Sequence, residues 1–252
     1  TTKIPGNYKY RSALYGGQKL DHQELSKERR CLVIPGFSDA ADCQCTQYVM
    51  KNIPALEDES FRLSLDNYKS KISFELFEQV NLNGEKTTYS KTWDDVDAQF
   101  KKSRTIGGEL GLERYFKKNM PEKFIDAGNS LDNAKAIYRY IQNTFTWNGD
   151  YRVFSEVDVK KSFENGTGNV AEINLSLVNA LVAAGFDAKA VMLSTRDRPL
   201  PGTVYPVLTD FNYVQAFVDI DGKEYILDAT DKLLPFGMIP FKTLTNEGRV
   251  LD

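Results

Sequence analysis

The stretch GTGNVAEINLSLVNALVAAGFDAKAVML, residues 166–193, decides the fold. A polar, glycine-rich loop runs into an apolar helix, a second glycine follows, and a strand begins at once. Val170, Ile173, Leu177, Leu181 and Ala184 recur at helical spacing on one side, while Leu175, Val178 and Val182 leave few positions for water. The helix expected over 169–184 is therefore central and buried. Gly185 supplies its C-terminal cap, and residues 188–194 read as the strand. Enzymes commonly set a nucleophile at such a loop-to-helix junction, where the helix dipole favours negative charge. Here the position where a thiol would sit holds Val170. Either a site has lost its chemistry, or the helix never had any.

Downstream, NYVQAFVDI and EYILDA are two strand patterns, residues 212–220 and 224–229, joined by Asp221-Gly222, a pair that favours a two-residue hairpin turn. Upstream, SLDNAKAIYRYIQNTF opens on an N-cap serine, Ser130, and puts Leu131, Ala134, Tyr138, Ile141 and Phe145 on one stripe of an amphipathic helix. Helical spacing begins at Thr92, a hydroxyl followed three positions on by Asp95. Before it the chain reads as mostly β, with strands over 7–15, 45–53 and 72–80, the last ended by Asn83 and Gly84. PGFSDAADCQC, residues 35–45, reads as a loop. The expected class is α+β, with a β-rich segment over 1–90, a helical connector over 91–130 and a second domain over 131–252.

Composition narrows the classes of function. The 252 residues carry a net charge of −3 with both signs dispersed, so no basic stripe exists to neutralise phosphates, and nucleic acid is not an expected partner. No apolar run approaches the roughly 20 residues that span a bilayer. The opening TTKIPGNYKY lacks the layout of a signal peptide. Three cysteines, Cys31, Cys43 and Cys45, are too few and too odd for a disulfide framework. They are expected as free or buried thiols, or as one strained or intermolecular disulfide. Their spacing does not suit a zinc site, and neither a metal nor a cofactor is expected. The single histidine, His22, lies in the polar run QKLDHQELSKERR and reads as a solvated surface residue. Any mechanism that uses an imidazole must recruit it.

The order amphipathic helix, GTGN, AEIN helix, AAGFDA, strand, FNYV strand, ILDAT resembles the transglutaminase-like superfamily over about residues 131–251. The resemblance implies a papain-like core, a central helix against an antiparallel sheet. The stretch ALEDESFRLSLDNYKSKISFELFE is similar to the end of a β-rich domain of unknown function that precedes such cores in exported bacterial proteins. That implies a periplasmic or otherwise exported location, and a chain that begins partway through a longer protein. In this family a cysteine at the helix start, a histidine on the next strand and an aspartate on the strand after form the triad; carried over, the positions are Val170, Asn212 and Asp228. Valine has no nucleophilic atom, and an amide cannot take and return a proton near neutral pH. Only the aspartate keeps its role, and the Asn212 amide is expected to lie within hydrogen-bond reach of it or of ordered water.

Other residues carry two readings each. Glu172 and Asn174 are ligand groups lining a cleft, or a first-turn acid on the helix dipole and a satisfied polar core residue. Asn169, with Thr167 and Glu172, supplies the polar groups of the helix start. Trp147 and Asn148 wall the same cleft, or Trp147 is simply core. Arg196 and Arg198, in the loop STRDRPLPGTVYP, can grip a carboxylate or sulfate, or are surface charge. The leading expectation is a non-catalytic binding or scaffolding module for a peptide, a glycan or another protein. The alternative is a cysteine-type hydrolase or acyl-transferase built on Cys43 or Cys45 with His22.

Overall fold

A computed structural model describes residues 1–33, 40–57, 59–81, 84–89, 92–202 and 208–251. Contacts divide these residues at Thr92: residues up to Thr92 form one unit, and 93–202 with 208–251 form the other.

Among its described residues the first unit holds six strands: β1 (Thr2–Pro5), β2 (Tyr8–Tyr15), β3 (His22–Val33), β4 (Ala40–Val49), β5 (Lys71–Val80) and β6 (Lys86–Thr88). They make two antiparallel sheets in the orders β1-β4-β3 and β2-β5-β6. The strands expected over 7–15 and 72–80 are β2 and β5. Two expectations are corrected. Residues 40–45 belong to a strand rather than a loop, and the strand expected over 45–53 ends at Val49. Ala40, Ala41 and Asp42 are poor strand formers, but β4 is the central strand of its sheet and takes its hydrogen bonds from both neighbours. Asn83 and residues 35–39 of the expected loop lie outside the described residues.

The polar run around His22 is also a strand, β3, at a sheet edge with most of its side chains exposed. Charged edges of this kind discourage pairing with other chains, and they leave no alternating pattern to read. β3 is bulged between Glu28 and Leu32, where Arg30 adopts a φ of 48°. Within the bulged stretch, Cys31 forms a disulfide with Cys43, with Cα atoms 5.6 Å apart. Cys45 is free and half-buried. The pairing follows from strand register, which sequence spacing does not show.

The second unit is α+β. Its elements are α1 (Trp93–Lys102), α2 (Gly107–Leu110), α3 (Glu113–Asn119), α4 (Glu122–Ile125), α5 (Leu131–Thr144), β7 (Thr146–Trp147), α6 (Val159–Asn165), β8 (Thr167–Gly168), α7 (Val170–Ala183), β9 (Asp187–Leu193), β10 (Tyr213–Ile220), β11 (Lys223–Leu227) and β12 (Arg249–Val250). The sheet is antiparallel in the order β11-β10-β9-β12, and β7 pairs with β8 in a short parallel ladder. The β10–β11 turn is the expected one: Ile220 pairs with Lys223, and Asp221 and Gly222 have φ of 54° and 79°. Two left-handed residues match the twist of a hairpin.

α7 is the centre of this unit. It packs on β9 and β10, with α3, α5 and α6 around it. Leu177 and Leu181 are fully buried, as are Ile173 and Leu175. Each such side chain contributes roughly 1.5–3 kcal/mol of apolar burial, so Leu177→Ala is a change of about 2–5 kcal/mol. Its buried polar residues are satisfied: Ser176 donates to Glu172 O within the helix, and Asn179 accepts from Leu112 N and donates to Glu109 O. Asn179 thereby ties the stretch 91–130, expected as a connector, to the central helix. That stretch also contributes Phe100, Ile106 and Phe116 to the same core.

Candidate functional site

The start of α7 is closed by its own sequence. Asn169 is the N-cap and its side chain accepts from Glu172 N at 2.9 Å, while Glu172 Oε2 accepts from Asn169 N at 2.8 Å. This reciprocal capping box satisfies two helix-end donors at once. Gly168 permits it, since a Cβ there would stand 3.1 Å from the Glu172 Cβ. The other Glu172 oxygen accepts from Asp158 N, and Val170 N donates to Asp150 O. Glu172 is therefore a buried structural acid with both oxygens engaged. Val170 is fully buried in the first helical position.

One turn on, Asn174 is fully buried and satisfied. Its amide nitrogen donates to Val214 O at 2.9 Å and to Asp228 Oδ1 at 3.4 Å, and its oxygen accepts from Ala229 N. It fastens α7 to β10 and to the segment after β11, where Asp228 sits, itself fully buried. Five donors converge on the Asp228 carboxylate: Asn174 Nδ2, Tyr213 OH at 2.8 Å, Gln215 Nε2 at 3.3 Å, Thr230 N at 3.0 Å and Thr230 Oγ1 at 2.6 Å.

Asn212 is not among them. Its oxygen accepts from Thr195 N and its amide donates to Thr195 Oγ1, so the expected contact between Asn212 and Asp228 is corrected. The reason is strand parity. Side chains alternate along a strand, so Tyr213 and Gln215 share the face that meets Asp228, while Asn212, just before β10, does not. Of the two β10 side chains, Tyr213 makes the shorter bond to Asp228. Burial first, and then the Asp228 charge, push its phenol well above the ordinary tyrosine range. It is a hydrogen-bond donor at neutral pH.

Trp147 in β7 is half-buried, and its ring nitrogen donates to Asp150 O. Asn148 is exposed and accepts from Asp150 N. These bonds fix the loop that follows, so that the rings of Trp147, Tyr151 and Tyr213 surround one ammonium. Lys242 Nζ lies 4.3, 5.0 and 5.1 Å from their respective centroids. Lys242 belongs to a short 3-10 turn, Phe241–Thr243, and its carbonyl accepts from Arg196 N.

Beside this box opens a pocket of about 860 Å³. Tyr151, Arg152, Thr195, Arg196, Asn212 and Lys242 are part of its lining, with Val153, Phe154 and Phe211 giving it an apolar wall. Of the residues expected to bind, Arg196 and Asn212 line it and Trp147 stands behind Lys242. Asn169, Glu172, Asn174 and Asp228 are structural ties behind the wall. Arg196 donates to Leu244 O and stacks on Phe241. Arg198 lines the same pocket and is exposed.

The thiol and imidazole candidates do not meet. Cys43 is in the disulfide. Cys45 pairs with Ser26, and His22 with Val49, four residues along the same ladder. At about 3.3 Å per residue that is about 13 Å. His22 is solvent-exposed beside Glu24. Among the described residues no group of histidine, cysteine and carboxylate side chains is placed to hold a metal ion, and no helix is long and apolar enough to cross a membrane.

Tyr213, Gln215 and Thr230 were not singled out in the sequence, although the alternation Tyr213, Gln215 on a strand facing an apolar helix is a legible signal. Lys242 and Tyr151 carry no such signal, because loop geometry alone brings them together.

No family model and no curated protein matches this chain. Solved structures do match, two of them as follows. A candidate protease of Parabacteroides distasonis aligns at 16% identity with a TM-score of 0.49, over 92% of this chain and 39% of that one. A candidate cysteine protease of Cytophaga hutchinsonii aligns at 13% identity with a TM-score of 0.35, over 99% of this chain and 89% of that one. The chain thus spans about two fifths of the length of the first.

Proposed function

We propose that the second unit is a transglutaminase-like module with a papain-like core that has lost its cysteine chemistry, and that it works as a binding or scaffolding part of a larger exported bacterial protein. The observation that carries this reading is the partner of Asp228. Where a base would be oriented by that carboxylate stands the phenol of Tyr213, whose raised pKa keeps it protonated. A base must give up its proton near the working pH. Val170 supports the same reading: an aliphatic side chain occupies the helix start, and the amides of Val170 and Glu172 are committed to Asp150 and Asn169. Neither thiolate nor oxyanion has a ready place there. Two carboxylates can in principle support glycoside hydrolysis, but Glu172 and Asp228 are poorly suited to it, because every oxygen of both already accepts a hydrogen bond.

The test is turnover. Peptide, ester and glycoside substrates are offered to the chain and to Tyr213→Phe. Hydrolysis or acyl transfer that disappears in the variant would overturn the reading. Selective, pH-dependent acylation of Cys45 linked to turnover would favour the cysteine hydrolase instead.

A further inference from the structure

The pocket beside the ring box carries four cationic side chains, Arg152, Arg196, Arg198 and Lys242, against two carboxylates, Asp150 and Asp197. Three of these cations are already engaged to some degree. Arg152 pairs with Asp150 and Glu156, Arg196 with Leu244 O and Phe241, and Arg198 makes further contacts of its own. Lys242 differs. Its ammonium is held over three ring faces, and among the described residues no carboxylate and no hydrogen-bond acceptor meets it. Ring faces attract a cation but do not replace the acceptors that three N–H donors seek.

The box is itself fixed, by Trp147 on Asp150 O and by Tyr213 on Asp228. A long, flexible stem is thereby ordered before any ligand arrives, which lowers the entropic cost of binding. Val153, Phe154 and Phe211 supply an apolar wall to the same pocket. We propose that this pocket binds a carboxylate carried on an apolar body, of the kind a peptide C-terminus with an aromatic side chain presents, and that Lys242 on the Trp147, Tyr151 and Tyr213 rings is its anchor. The proposal rests on the reading that the cleft binds rather than reacts.

The experiment is calorimetric titration of the whole chain with N-acetyl-L-phenylalanine and, separately, with its primary amide. The acid is expected to bind saturably, more weakly as salt rises, and about tenfold or more tightly than the amide, the difference one charge-assisted hydrogen bond makes. Lys242→Met, which keeps an apolar stem over the rings, should lose the same factor with its melting temperature unchanged. Lys242→Arg should retain most of the affinity, since guanidinium also stacks on rings.

No binding of the acid, equal binding of acid and amide, or full affinity in folded Lys242→Met overturns the proposal. So does tighter binding of galacturonate, which would mark an acidic sugar rather than an apolar body. The acid and amide are compared on the unaltered chain, so the result stands even where a variant does not fold. Turnover of a substrate would bear on the pseudoenzyme reading and not on this comparison, and failure to bind here leaves that reading standing.

Discussion

Replacing Asp228 by alanine takes the acceptor from five donors in one step. Not all of them are stranded. Asn174 Nδ2 keeps Val214 O, and Gln215 Nε2 keeps Thr243 Oγ1. Tyr213 OH and Thr230 Oγ1 are 3.3 Å apart and can serve each other. That leaves the Thr230 amide and one hydroxyl hydrogen without a partner, at about 1–3 kcal/mol each. Against this, deleting a buried carboxylate that has no ion-pair partner among the described residues relieves part of its desolvation. The net expectation is a loss of about 2–4 kcal/mol, or roughly 5–15 °C in Tm for a unit of this size.

Urea unfolding followed by tyrosine and tryptophan fluorescence measures it, with an unchanged m-value as the sign that stability alone has moved. Asp228→Asn is the comparator. It keeps an oxygen for Thr230 and presents its amide to Tyr213, whose hydroxyl can turn to accept. Its cost should stay below about 2 kcal/mol. An alanine variant within about 0.5 kcal/mol of the parent would refute the reasoning, for that is the range of ordinary surface changes. An asparagine variant as damaged as the alanine one would do so too, because charge and not acceptor count would then be what matters. A large loss also means that vanished turnover in Asp228→Ala reports on folding, so Tyr213→Phe is the cleaner variant for the substrate panel.

Three further outcomes are expected. Asn169→Ala removes the acceptor of Glu172 N from the capping box; it should cost about 1 kcal/mol in urea unfolding, and no measurable cost would mean that the box is ornamental to α7. Glu109 has its pKa raised, first by burial and then by Asp158 and Glu172, against the bond from Val159 N. A carboxyl whose folded pKa lies above its unfolded value binds its proton more tightly when folded, so its ionised form costs stability as pH rises past the unfolded value. Glu109→Gln should therefore compare more favourably with the parent at about pH 7.5 than at about pH 4, and the opposite trend would show that the Val159 bond outweighs burial. Finally, on a Cys45→Ser background, Val170→Cys with Tyr213→His should be alkylated faster near neutral pH than Val170→Cys alone, whereas Val170→Cys with Asn212→His should not; equal rates in both would show that Tyr213 does not hold the base position.

What was legible in the sequence was whatever burial imposes on pattern. An apolar run broken by Gly185 yields α7 and β9, and Asp221-Gly222 yields the β10–β11 turn, because packing and backbone sterics act on neighbouring residues. β3 and the first half of β4 were not legible, since a charged edge strand and an Ala-Ala-Asp opening owe their conformation to pairing partners elsewhere in the chain. The site failed at a finer scale. A position carried over from a resemblance is only as good as its register, and in a strand an error of one residue moves a side chain to the other face. Asn212 and Tyr213 are adjacent, yet one bonds Thr195 and the other Asp228. The position carried over from the resemblance was the amide, whereas alternation with Gln215 points to the phenol as the side chain that meets Asp228. Because Tyr213 is both the partner of Asp228 and a wall of the Lys242 box, the residue that on the proposed reading replaces a proton shuttle would also build a cation platform. On that proposal, loss of reaction and gain of recognition have a common cause, and Tyr213→Phe separates them: it keeps the ring beneath Lys242 while removing the bond to Asp228. Such a variant should bind N-acetyl-L-phenylalanine like the parent and yet be less stable, by about 1–3 kcal/mol for the carboxylate's lost donor. A variant that loses the ligand while keeping its stability would break that link.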